Sequence, residues 1–351
     1  MDYDFSAIVE DLLYWYDNNA GILRWRQEPK PYYIWISEIM LQQTRVEAVK
    51  DYFDRFVEAL PDIRSLAEAE EERLLKLWEG LGYYNRVRNL KRAAEKIMAE
   101  YGGRMPSSFE ELQKLPGIGS YTAGAIASAA FGEKVPAVDG NVLRVAMRLS
   151  ADYSEITKQS VKKGLEETLK KIMPERPGDF NQSLMELGAV VCLPNGKPLC
   201  DKCPVMHLCR AFKQDIQMEL PVKAAKRPRR IEERSVFILE YDGKYALFKR
   251  PARGLLAGLW ELPNREGWLT AAEAGHWLSD RGLVIAELNP LADAKHIFSH
   301  VEWHMLGYFI RLNEMPEFID EGRRPVWVTG AEIKERFALP SAFEAYTPLL
   351  V

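Results

Sequence analysis

Polar and apolar positions alternate with a helical period from the N-terminus to about residue 215. Segments such as EERLLKLWEG and VRNLKRAAEKIMAEYG place apolar residues three and four apart, and the second stops at Gly102-Gly103, as helices commonly do. From Ser235 the period shortens to two. SVFILEYDGKYALFKR and HMLGYFIRL read as strands, with Asp242-Gly243 between two alternating runs as a hairpin turn. The pattern predicts an all-α domain over 1–215, a linker over 216–234 and an α+β domain over 235–351. The linker contains VKAAKRPRR at 222–230, with five positive charges and no acid, and reads as an exposed tether that could also follow a phosphate backbone.

A chain of 351 residues accommodates two domains, each large enough for its own core. The N-terminal MDYDFSAIVEDLLYWYDNNAG lacks a basic region and a long apolar run, so it reads as a helix of a cytosolic protein with no membrane partner. The net charge of −4 argues at first against nucleic acid. The charge is uneven, however: residues 1–230 carry 34 basic and 33 acidic side chains, whereas 231–351 carry 13 and 18. The acidity belongs to the second part and leaves the first free to meet phosphates.

Three stretches carry candidate chemistry. SSFEELQKLPGIGSYTAGAIASAAFG, residues 107–132, reads as two helices joined by Pro116-Gly117-Ile118-Gly119, with Ser107 and Glu110, or Ser108 and Glu111, as a capping box. Gly117 and Gly119 would let the backbone approach an anion such as a DNA phosphate at the second helix's free N–H groups; an ordinary helical hairpin is the plainer reading. In YYIWISEIMLQQTRVEAV, residues 32–49, Glu38 projects from a mostly apolar stripe, where burial would hold it protonated and able to donate a proton, unless it lies at the edge and reaches solvent. Asp139, in AVDGNVLRVAMRL, reads as an N-cap, and a capped carboxylate should stay ionised. One neutral and one ionised carboxyl is the combination that cleaves a glycosidic bond through a cationic sugar.

All four cysteines lie in CLPNGKPLCDKCPVMHLC, residues 192–209, with seven, two and five residues between them. In a reducing compartment they read as metal ligands. A single CxxC pair leaves both an iron–sulfur cluster and zinc open. His296, His300 and His304, spaced by four, would share a face and make a weaker metal candidate beside a polar surface.

In this order, SEIMLQQTRV, LWEGLGYYNRVRNL, LPGIGSYTAGAI, VDGNVLRV, FNQSLMELGAVVC, the cysteine run, LLAGLWELP and IFSH resemble the helix-hairpin-helix DNA glycosylases, and among them the adenine DNA glycosylase family, over nearly the whole chain. The resemblance implies an all-α helix-hairpin-helix domain with an iron–sulfur module, followed by an α+β Nudix-like domain. It also implies a monomer that releases adenine mispaired with 8-oxoguanine or guanine in double-stranded DNA. Glu38 would protonate the leaving base and Asp139 would stabilise the sugar cation, supported by Asn141 and Tyr121. Tyr121 stands where related lyases carry a Schiff-base lysine, so base excision without strand cutting is implied. Leu23, Trp25, Arg26, Leu41 and Gln182 would form the adenine pocket; Arg24 stands where the family has proline.

Gln43, Thr44, Leu81 and Tyr83 would wedge into the duplex around 8-oxoguanine, with Phe298, Ser299 and His300 reading that base. GWLTAAEAGHWLSDRGL stands where the Nudix catalytic box would fall, which disfavours pyrophosphate hydrolysis. A [4Fe–4S] cluster would sit on Cys192, Cys200, Cys203 and Cys209, with Pro194-Asn195-Gly196 absorbing one residue more than the family has there. Lys197, Lys202 and Arg210 would face DNA phosphates. Two rivals compete with this reading: a glycosylase-lyase for oxidised pyrimidines, which Tyr121 disfavours, and a non-catalytic damage-binding protein, which the two carboxyls disfavour.

Overall fold

A computed structural model describes residues 3–224, 228–317, 320 and 322–351. The linker residues 225–227 lie outside the described residues. The chain forms two compact units, one of residues 1–68 and 89–225 and the other of 69–88 and 226–351. The second therefore takes twenty residues that the helical period groups with the first. Among the described residues no helix is long and apolar enough to cross a membrane.

The first unit is helical. The Val9–Asn19, Gly140–Ser150, Gln159–Lys170 and Pro177–Val190 helices bury Leu12, Val142, Val145, Leu165, Leu169, Phe180, Leu184 and Leu187 in one core. The Pro31–Leu41 helix is buried from Tyr32 through Met40, around its whole circumference, and packs against the Val46–Ala59 and Ser120–Phe131 helices. A helix apolar on every side belongs inside the domain, and this takes Glu38 away from solvent. Ser108, not Ser107, caps the first hairpin helix by accepting from the Glu111 N–H.

The second unit is built on a mixed sheet of β1 (Arg230–Tyr241), β2 (Lys244–Lys249), β3 (Trp260–Glu261), β4 (Asn264–Glu266), β5 (Ile285–Pro290), β6 (Ala294–Ile297), β7 (Val301–Leu312) and β8 (Val326–Thr329). The order β3-β2-β1-β7-β5 forms the spine, with β4 on β1, β6 on β7 and β8 on β2. β1 and β7 run parallel; β1 and β2 form the expected hairpin, with Asp242 at φ 48° and Gly243 at φ 71°, the left-handed pair a tight two-residue turn requires. Val236 and Ile238 face one apolar core while Phe237 and Leu239 face another, which explains why SVFIL is apolar at consecutive positions. β1 begins at Arg230, ahead of the change of period at Ser235, because Arg230–Arg234 pair with Val301–Met305 while their side chains stay mostly exposed or half-buried.

The three histidines do not converge. His296 on β6 sits opposite Trp303, and His304 on β7 sits opposite Lys295, so adjacent positions send the two rings to opposite faces, while His300 lies in the connecting loop. The spacing of four spans a chain reversal, and the expected shared face is lost.

Candidate active site

Glu38 is 3% exposed. The Tyr121 hydroxyl donates to Glu38 Oε2 at 2.6 Å and Gln182 Nε2 donates to Oε1 at 3.1 Å. Burial pushes the carboxyl above its ordinary range, the two donors oppose this, and the charge of Asp139 adds to the rise. The amide orientation of Gln182 is set from behind, because Arg26 Nη2 can only donate and does so to Gln182 Oε1 at 3.2 Å. The same nitrogen pairs with Glu186 Oε2 at 2.7 Å. Glu186 escaped the sequence reading; its position one helical turn after Gln182 on the Pro177–Val190 helix was the available signal.

Asp139 caps the Gly140–Ser150 helix. Its Oδ1 accepts from the Val142 N–H at 2.8 Å and its Oδ2 from Asn141 Nδ2 at 2.8 Å. Arg144 Nη2 donates to Asn141 Oδ1 at 2.8 Å, which fixes the Asn141 amide with its NH2 toward Asp139. Capping alone predicts an ionised Asp139; burial adds an opposing push upward, which the N–H donors and Arg144 offset in part. The Val142 and Asn141 N–H donors and the Arg144 charge favour the anion, against the burial that disfavours it. Tyr121, raised well above the usual phenol range by burial and by both carboxyls, stays protonated.

A cleft of about 220 Å³ reaches Glu38 and Gln182 and is lined also by Trp25, Arg26, Ile34 and Ser128 among others, whereas Tyr121, Asp139 and Asn141 lie outside its lining. Leu23 and Leu41 lie outside its lining. Trp25 is fixed by an edge-on contact with Phe53 at 4.8 Å. Arg26 lines the cleft, and its Nε is buried without a hydrogen-bond partner among the described residues. Arg24, at the position of the family's proline, turns outward to Asp54 at 3.1 Å and leaves Arg26 in the cleft.

The hairpin turn has Gly117 at φ 77°, where an added Cβ would also lie 2.6 Å from Asn89 Cβ. Gly119 caps the Ser120–Phe131 helix at φ −91°, with nothing of the protein within 4 Å of an added Cβ. Gln43 is exposed at φ 61° and Thr44 half-buried beside it, both in the helical unit. Leu81 and Tyr83 belong to the other unit, with Phe298, Ser299 and His300. Leu81 is 6% exposed, so the wedge expected at that position is corrected: Tyr83, 50% exposed, is the side chain that projects from the turn. The Tyr83 hydroxyl meets Ser299 Oγ at 2.9 Å. Ser299 and His300 are exposed, and Phe298 packs edge-on against Trp303 at 5.0 Å.

Cys192, Cys200, Cys203 and Cys209 are free thiols that line one small cavity of about 30 Å³, walled by apolar residues such as Leu149, Leu187 and Val205. Arg148 Nη1 donates to Cys192 Sγ at 3.2 Å. Burial pushes the Cys203 thiol up to about 12. Among the described residues no three of His, Cys, Asp and Glu converge on a point that could hold a single metal ion. The chain bends at 194–196, and Lys197, Lys202 and Arg210 are exposed.

A buried acid beside a capped carboxylate, in a helical domain with a hairpin, is the arrangement of a DNA base-excising enzyme. The family model for HhH-GPD superfamily base excision DNA repair proteins matches residues 36–171, and the NUDIX domain model matches residues 235–347. A thermostable thymine-DNA glycosylase has the fold of the helical part, with a TM-score of 0.53 at 30% identity over 59% of this chain and 96% of its own. An endonuclease III trapped covalently on DNA gives 0.51 at 26% identity, over 60% and 96%.

The adenine DNA glycosylase of Mus musculus is 37% identical over 89% of this chain and 72% of its own length. That of Homo sapiens is 36% identical over 92% and 69%, and that of Buchnera aphidicola subsp. Schizaphis graminum 32% over 93% and 92%. The chain belongs to the adenine DNA glycosylase family and is a DNA-binding repair glycosylase.

Proposed function

We propose that the enzyme hydrolyses the N-glycosidic bond of adenine mispaired with 8-oxoguanine or guanine in duplex DNA, and that it leaves the strand intact. The observation that carries this reading is the buried Glu38 carboxyl, raised by desolvation and held between Tyr121 and Gln182 at the wall of the cleft. An adenine extruded from the stack enters the cleft beside Trp25 and Arg26. Protonated Glu38 gives its proton to the departing base. Asp139, aligned by Val142, Asn141 and Arg144, bears the negative charge that stabilises the developing sugar cation until water adds. Tyr121 is a phenol that cannot form an imine with the opened sugar, which supports excision without a lyase step.

Gly117 and Gly119 give the hairpin the turn at which a phosphate would sit, and within the sheet-rich unit Tyr83, Ser299 and His300 supply exposed groups for the opposite base. A [4Fe–4S] cluster suits the four thiols, because they surround an apolar cavity and a guanidinium donates to one sulfur. When bound, it would crosslink the 192–209 loop and hold its exposed lysines in place.

Single-turnover assays on duplexes with A opposite 8-oxoguanine, A opposite G, and an oxidised pyrimidine, each with and without alkali, test the proposal. Adenine release with alkali-dependent breakage is expected. Breakage without alkali at the rate of base release overturns the monofunctional reading, and tight binding with no release leaves a damage-binding protein.

A further inference from the structure

Residues 69–88 cluster with the sheet-rich unit rather than with the helices around them in sequence, and a closed polar ring holds them there. Lys76 Nζ donates to the carbonyls of Ile333 at 3.1 Å and Phe337 at 3.3 Å, at the C-terminal end of the Gly330–Arg336 helix. The Ile333 carbonyl also accepts from the Phe337 N–H at 3.3 Å and gives its second lone pair to the ammonium, and both carbonyls lie at the helix's negative end, where a cation fits. The same Nζ pairs with Glu79 Oε2 at 2.5 Å, and Glu79 Oε1 accepts from the Leu339 N–H at 2.7 Å. The two side chains are only 19% and 29% exposed, so the ring is partly shielded from water.

Four residues after Glu79, Tyr83 stands at φ 49° with its hydroxyl on Ser299. The turn between them is stiffened by Trp78 Nε1 donating to the Gly82 carbonyl at 3.1 Å and by Arg86 donating to the carbonyls of Leu81 and Gly82. The turn thus joins the ring to Tyr83 through a short hydrogen-bonded segment. We propose that Lys76 and Glu79 are positioning residues that set opposite-base selectivity, by fixing Tyr83 against Ser299. This rests on the reading of Tyr83 and Ser299 as contacts to 8-oxoguanine. Neither Lys76 nor Glu79 touches the reacting atoms.

The test compares single-turnover adenine release opposite 8-oxoguanine and opposite guanine in wild type, Lys76→Met, Tyr83→Phe and the double variant. Lys76→Met keeps the aliphatic stem and is expected to lower the 8-oxoguanine preference about tenfold, with release opposite guanine within about threefold of wild type. Tyr83→Phe should lower the same ratio, and the double variant should lose no more than the larger single effect. Glu79→Gln retains an acceptor for Leu339 and is expected to give a smaller loss, about threefold; it serves the same measurement if Lys76→Met does not fold. A ratio within about twofold of wild type in folded Lys76→Met, or equal falls in both rates, overturns the proposal. If the wild type itself shows no preference for 8-oxoguanine, the underlying reading of Tyr83 and Ser299 fails instead.

Discussion

Asp139 fills two roles that one substitution can separate. As the N-cap it accepts from Val142 at 2.8 Å, and in the proposed reaction its anion stabilises the developing sugar cation. Asp139→Asn retains an oxygen for Val142 but turns an NH2 toward Asn141, whose own NH2 points back because its oxygen is held by Arg144. Two donors face each other, at a cost of about 1–3 kcal/mol, or roughly 2–10 °C in the melting temperature of a domain this size. The lost charge matters more for catalysis. Two unit charges about 4 Å apart at an effective dielectric near 20 interact by about 4 kcal/mol, which corresponds to roughly a thousandfold in rate. Asp139→Ser keeps a capping oxygen without charge and should lose as much activity with a smaller loss of stability. Single-turnover adenine release beside thermal melts of the three proteins is the assay. Release by Asp139→Asn within about tenfold of wild type would refute the charge argument and leave Asp139 as a cap.

With Glu38 as the proton donor of the proposed reaction, release should fall as pH rises through its pKa, at a pH above the ordinary carboxylate range because of burial. Tyr121→Phe removes a donor that favours the anion, which raises that pKa further and moves the alkaline limb of the rate–pH profile to higher pH; an unmoved limb counts against the 2.6 Å hydrogen bond. Gly117→Ala combines a left-handed backbone with a Cβ 2.6 Å from Asn89 and should weaken duplex binding about tenfold or more, whereas Gly119→Ala meets no protein atom and should fold normally, as binding titrations and melts would record. Cys203→Ser should abolish visible absorption and bound sulfide in anaerobically purified protein; stoichiometric zinc without sulfide in the wild type would rule out the cluster.

Much of the site was legible because its signals are local. Asp139 before an apolar periodic run identifies a cap, Pro116-Gly117 a tight turn, and Asp242-Gly243 a hairpin, since each depends on a few consecutive backbone angles. Leu81 misled because an apolar residue at a turn can point in or out, and burial selected inward. The histidines misled because a spacing of four assumes one continuous element, and a chain reversal intervenes. Glu186, Arg144 and Lys76 were hidden among ordinary surface-type charges, since their partners lie far off in the chain or in main-chain carbonyls that leave no mark on the sequence.

The sequence by itself determined the period of each segment, the caps and turns, the four thiols and the identity of both carboxyls, because these follow from residue type and near neighbours. The burial that raises both carboxyls and the membership of residues 69–88 came from tertiary packing. Burial of Glu38 is the sum of what surrounds its helix on every side, and the place of Lys76 depends on the end of a helix more than 250 residues later.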